Sequence, residues 1–328
     1  MKKHFATLLT AMALAVPLAS QATVTFSFNP NGTGAAGALS LDQLDPSAGS
    51  ALSVGGNPVG GVGLGETYKL LYQANMGTGA FEGTPINLGG KLFTVVIGFE
   101  ETVSGASASA NAATVSFELA AGTGASRTSD NFFYVYANTG GNALAGTGFT
   151  SGSLIMSGYV SAVTSSSFTL NTPANNTAGA CSGGGTPLTR PLDCAGADDW
   201  AGTRTLVGSG ATDIELTIDF VNSGYFPDLT PSGTMTFGFT NSSLVDPFRQ
   251  VNPSKAFSTD GIANGNHATN VGPVNGFNTN PSGGQAYDFI FQADANISFD
   301  REVPEPGSLA LIGLALGAAG MIGRRRIR

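Results

Sequence analysis

Positive charge, sulfur, indole and imidazole are all scarce in this chain of 328 residues, which holds 14 Lys and Arg, 2 Cys, 1 Trp and 2 His. No basic cluster lies between Lys69 and Arg301. Nucleic-acid binding is thereby excluded, because phosphate contacts need grouped Lys and Arg. Two cysteines and one histidine beyond residue 4 are too few ligands for a structural zinc site. A single tryptophan, Trp200, counts against a glycosidase cleft, where sugars normally stack on several rings. Charged residues are only 11% of the chain, so its surface is wetted by hydroxyls and amides rather than by ion pairs. Helical periodicity is almost absent as well.

What is present begins with the two ends. Lys2 and Lys3, the apolar run Leu8 to Leu18 and the small-residue site Ser20-Gln21-Ala22 read as a signal peptide. Cleavage is expected after Ala22. At the other end, Val303-Pro304-Glu305-Pro306 precedes an uncharged run, Gly307 to Gly323, and then Arg324, Arg325, Arg326 and Arg328. As a helix that run spans about 25 Å, near the lower limit for a bilayer core of about 30 Å. The arginines should stay cytoplasmic, leaving the body outside the inner membrane. These residues resemble the PEP-CTERM tail of Gram-negative bacteria. The resemblance implies an exosortase substrate, held in the inner membrane before processing and then released or attached at the cell surface or in the extracellular matrix.

Residues 23–302 make up the expected ectodomain, with 303–328 as the sorting tail. Between Thr23 and Pro306, 8 basic residues face 22 acidic ones, a net of −14. Export to an oxidising space predicts a Cys181–Cys194 disulfide. Chain entropy gives such a bridge a worth of roughly 3 kcal/mol.

The body alternates apolar and polar residues. Phe93, Val95, Ile97 and Phe99 share one face, as do Ile214, Leu216, Ile218 and Phe220. The longest such run pairs Tyr287, Phe289, Phe291, Ala293, Ala295, Ile297 and Phe299 against Asp288, Gln292, Asp294, Asn296 and Ser298. Such strands belong to antiparallel sheets with one solvated side. Phe132 to Tyr136 and Leu154 to Val160 are apolar on both faces and belong at the centre. With Gly-rich turns between runs, the fold expected is all-β, an antiparallel β-sandwich of jelly-roll-like form. Strand order stays open.

The chemistry is sparse. His267 sits in a turn-like Gly265-Asn266-His267-Ala268 and reads as a polar loop residue. Glu100 and Glu101 are adjacent, so on a continuous strand they point to opposite faces and cannot flank one glycosidic bond. Asp193, Asp198, Asp199 and Trp200 form the candidate ligand or cation loop beside the cysteines. Calcium, with its oxygen ligands, is the cation such a loop would take. Trp200 either stacks a sugar or plugs the loop onto the body. No other cofactor is expected, and no catalytic residues are assigned.

Three body segments resemble flocculation-associated PEP-CTERM proteins: Tyr68 to Ala74, Phe132 to Gly158, and Phe289 to Phe299. That resemblance implies a non-enzymatic surface or matrix protein supporting exopolysaccharide-associated aggregation in flocs or biofilm. The alternatives are a carbohydrate- or calcium-binding surface module and a glycoside hydrolase using Asp198 or Asp199.

Overall fold

A computed structural model describes residues 25–54, 63–108, 112–138, 140–142, 148–171, 189–191, 204–206, 208–242 and 289–300. They form fifteen strands and, among the described residues, no helix. Two short strands, β1 (Phe26–Phe28) and β2 (Leu39–Leu41), pair with each other. The main sheet is built from β3 (Gln43–Pro46), β4 (Gly49–Val54), β5 (Thr67–Phe81), β6 (Thr84–Asn87), β7 (Leu92–Ala108), β8 (Ala112–Leu119), β9 (Phe132–Asn138) and β10 (Ser153–Asn171). After the small pair β11 (Thr189–Pro191) and β12 (Arg204–Leu206), it continues with β13 (Gly208–Val221), β14 (Thr234–Ser242) and β15 (Phe289–Asp300).

The pairings of this sheet close on themselves. β3 and β4 run along one edge of β5 as a single broken strand: Gln43 lies opposite Ala80, and Ser50 opposite Gln73. The other edge of β5 pairs with β7. β9 and β8 share the next position, since Leu92 to Gly98 of β7 pair with β9 and Glu101 to Ala108 with β8. Both also pair with β10. β10 then pairs with β13, β13 with β14 and β14 with β15. Finally β15 pairs with β4 and β3, completing the ring.

Eight strand positions, all antiparallel and each followed by its neighbour in the chain, make an up-and-down barrel. The all-β antiparallel expectation therefore holds. It is refined in one respect: the two layers are joined by hydrogen bonds along both sides, and their order is a meander.

An eight-position barrel is just wide enough for side chains to fill, and these do. Tyr72, Ile97, Val135, Leu216, Phe237 and Ile297 are among the fully buried residues of one continuous core. The inward faces of β13, β14 and β15 are those read from alternation, with Asp213, Asp294, Asn296 and Ser298 outward and exposed. Such an outer surface is unlike the apolar band of a membrane-spanning barrel.

Phe220 departs from its expected face and is 40% exposed. A bulge is the reason: Ser157 pairs with Phe220 but Gly158 with Ile218, so Asp219 is extra and the alternation slips by one residue.

On the β5–β7–β9 side the outer face is buried too, with Leu71, Val96 and Phe132 covered. Gly98 permits this, since a Cβ there would lie 2.6 Å from the Phe132 ring. The β9–β10 connection is tied to this side. Thr94 Oγ1 donates to the Phe149 carbonyl at 2.5 Å, and Asn75 exchanges two bonds with the Gly141 backbone at 2.6 and 2.9 Å. Phe132 and Phe133, adjacent in β9, are both buried, consistent with apolar residues on both faces. Lys69 reaches Asp130 at 2.6 Å on this same side.

One end of the barrel is capped. Phe26 packs on Phe299 at 4.1 Å, Phe28 on Phe93 at 5.1 Å and on Phe226 at 5.0 Å. Phe226 comes from the β13–β14 connection, and Asp228 of the same connection accepts from the Ser27 amide at 2.9 Å. Buried Asn29 knits the cap together. Its Nδ2 is shared among Thr33 Oγ1, the Gly34 carbonyl and the Ala36 carbonyl, while its Oδ1 accepts from the Asn31 amide.

Candidate functional site

The loop carrying Cys181, Asp193, Cys194, Asp198, Asp199 and Trp200 lies outside the described residues, as do His267 and the tail residues Val303 to Pro306 and Arg324 to Arg328. Among the described residues no group of three or more His, Cys, Asp or Glu converges as a metal site. Of the residues considered for chemistry, Glu100 and Glu101 are described. β7 runs straight through them, so they diverge as alternation requires: Glu100 is partly exposed and Glu101 is 2% exposed inside the barrel.

Glu101 marks a polar layer toward the end of the barrel opposite the Phe28 cap. Cross-strand register puts it between Tyr68 of β5 and Leu119 of β8. The Ser166 hydroxyl donates to its carboxyl, and Ser166 Oγ lies 2.9 Å from Thr212 Oγ1. When the carboxyl is ionised, Ser166 donates to it and Thr212 donates to Ser166. The second carboxyl oxygen, Oε1, has no protein partner.

Burial pushes the Glu101 carboxyl up to about 7, opposed in part by the Ser166 bond. Tyr68 is raised by its own burial and then by the Glu101 and Glu66 charges. Tyr72, whose hydroxyl is unpartnered, is raised first by burial and then by Asp294 and Asp45. Glu101 is the only buried carboxyl among the described residues. The layer can take up and lose a proton near neutral pH; among the described residues it holds no second buried carboxyl of the kind a glycosidase needs.

A different feature lies at the capped end. A cleft of about 500 Å³ is lined by Asn31, Lys91, Leu92, Ser151, Ser153 and Tyr225, with Phe93 and Ala137 behind them. The turn at Gly89 and Gly90, both at positive φ, delivers Lys91 to its rim, and Asn87 Oδ1 accepts from the Gly90 amide at 2.8 Å. Tyr225 is held firmly. Its carbonyl accepts from Asn29 at 2.8 Å, and its ring meets Phe93 edge-on at 6.2 Å. Gly32, at φ 70°, leaves room for that ring: a Cβ there would lie 2.7 Å from it.

Sequence reasoning missed this cleft. Its members come from five segments spread between residues 30 and 225. The Asn29-Pro30-Asn31-Gly32 and Gly89-Gly90-Lys91 turns signal loops but not that those loops meet.

Residues 302–326 match the PEP-CTERM protein-sorting motif. Neither the curated proteins nor the solved structures yield a match to the chain. The motif implies an exported, membrane-anchored precursor in a Gram-negative bacterium, sorted to the surface through processing by exosortase.

Proposed function

We propose that this protein is a non-enzymatic scaffold of the cell surface or extracellular matrix that supports exopolysaccharide-associated aggregation, as in a floc or biofilm. The observation that carries this reading is the junction between body and tail. β15, which completes the barrel, ends at Asp300, and the sorting motif begins at residue 302. A self-contained, acidic and hydroxyl-rich barrel is thus joined almost directly to a surface-sorting signal. That arrangement suits display better than turnover.

Deleting the gene should impair floc or biofilm cohesion while polysaccharide yield stays constant. Unchanged cohesion with undiminished polysaccharide would overturn the proposal.

The second reading is a surface module that binds carbohydrate or calcium. The cleft at the capped end favours the carbohydrate form, because it combines a fixed aromatic ring with amide and hydroxyl groups. A glycan array probed with and without calcium separates the two forms. If binding appears only with calcium, the Asp193, Asp198 and Asp199 loop becomes the first place to substitute.

A further inference from the structure

The capped-end cleft differs electrostatically from the body that carries it. The chain holds 22 acidic residues against 14 basic ones, yet among the described residues the cleft lining includes Lys91 and no carboxylate. Elsewhere in the barrel the described cations are paired: Lys69 meets Asp130 at 2.6 Å, and Arg127 meets Asp219 at 2.9 Å. Among the described residues, no acidic side chain forms an ion pair with Lys91.

The apolar side of the cleft is unusual too. Leu92 is 41% exposed, one of few large apolar side chains so placed in the described residues. It stands with Tyr225, whose ring the cap holds rigid. Asn31 and Ser153 add amide and hydroxyl groups to the same lining. A volume of about 500 Å³ falls within the range of small-molecule sites.

A ring-and-aliphatic platform, hydrogen-bonding groups and one uncompensated cation match a ligand with an apolar face, several hydroxyls and a carboxylate. We propose that this cleft binds an acidic oligosaccharide, a segment containing hexuronate sugars. The Lys91 ammonium takes the sugar carboxylate, Tyr225 and Leu92 lie against the C–H face of a ring, and Asn31 and Ser153 bond its hydroxyls. This inference rests on the matrix reading of function and gives it a ligand class.

The test is calorimetric titration of the exported protein with oligogalacturonate, compared with the same oligomer fully methyl-esterified. The acidic oligomer should bind, and its affinity should fall as salt is raised. Lys91→Gln, at an exposed position, should weaken binding at least tenfold, and the ester should bind at least tenfold more weakly than the acid. Tyr225→Ala tests the platform, with circular dichroism to check that the cap survives. If that variant unfolds, Leu92→Ser replaces it and should likewise weaken binding. No binding of the acidic oligomer, equal binding of the ester, or unchanged affinity in Lys91→Gln would each overturn the assignment.

Cells carrying Lys91→Gln separate the two levels of argument. If they flocculate normally while deletion cells do not, the cleft has no part in aggregation and the aggregation reading stands without it. If titration succeeds but deletion cells flocculate normally, the cleft stands and the aggregation reading falls.

Discussion

The two ends of the barrel solve the same closure problem with different chemistry. At the capped end, Phe26, Phe28, Phe93, Phe226 and Phe299 meet ring to ring, and the backbone turns around them are tied by Asn29. At the other end the interior carries Glu101, Ser166 and Thr212, linked in a hydrogen-bonded line that leaves one carboxyl oxygen without a partner. Aromatic packing is indifferent to pH and costly to truncate. A buried carboxyl is cheap only while it holds its proton. Rigidity therefore resides at the end bearing the cleft, and pH sensitivity at the end remote from it.

The sharpest way to break this contrast is to hollow out the cap. Phe28→Ala should destabilise the protein by about 3–5 kcal/mol, the usual cost of deleting a buried aromatic ring. Urea unfolding should show that loss equally at pH 5 and pH 8. A loss below about 1 kcal/mol would mean that the cap is not part of the cooperative unit.

Glu101 gives the next largest effect and the opposite signature. Its folded value of about 7 lies above its ordinary 4.5, so the folded state binds the proton more tightly than the unfolded chain. Stability is thus full below pH 4.5 and declines as pH rises through 7. A shift of this size amounts to about 3 kcal/mol. Glu101→Gln should remove the decline, making the variant the more stable protein at pH 8 and leaving the two alike at pH 4. Parallel stability curves for the two proteins from pH 4 to 8 would show that Glu101 is not the titrating group.

Asn29→Ala should cost about 1–3 kcal/mol by removing the donor to the part-buried Gly34 and Ala36 carbonyls. Because Asn29 also accepts from Asn31, the substitution should loosen the cleft along with the cap. Hydrogen exchange should then accelerate at residues 29–36 and 222–229 and stay unchanged around Glu101. Uniform acceleration throughout would erase the distinction between the ends.

Much of the barrel wall was legible because alternation is a local property. Ala293, Ala295, Ile297 and Phe299 point inward as their pattern requires, and Phe132 with Phe133 reads correctly as buried on both faces. Closure was not legible, because register between Ile297 and Leu44, more than 250 residues apart in the chain, leaves no local trace. The long strands β5 and β7 are longer than their alternating cores, since Gly77, Gly79, Gly98 and Gly105 look like interruptions but lie within them. Phe220 was assigned to the wrong face because a bulge is an extra residue in one strand only, visible once its partner is known. Glu101 could be placed on its own side of a strand, but its Ser166 and Thr212 partners depend on how β10 and β13 cross that strand's end. The cleft was hidden for the same reason, being an encounter of turns.

Secretion delivers a polypeptide from its amino end, and here the stave that shuts the wall is the last part of the body to emerge. Until residues 289–300 are across, β14 and the β3–β4 strand each lack a neighbour. Closure of the wall therefore waits on the segment that lies directly before the sorting motif.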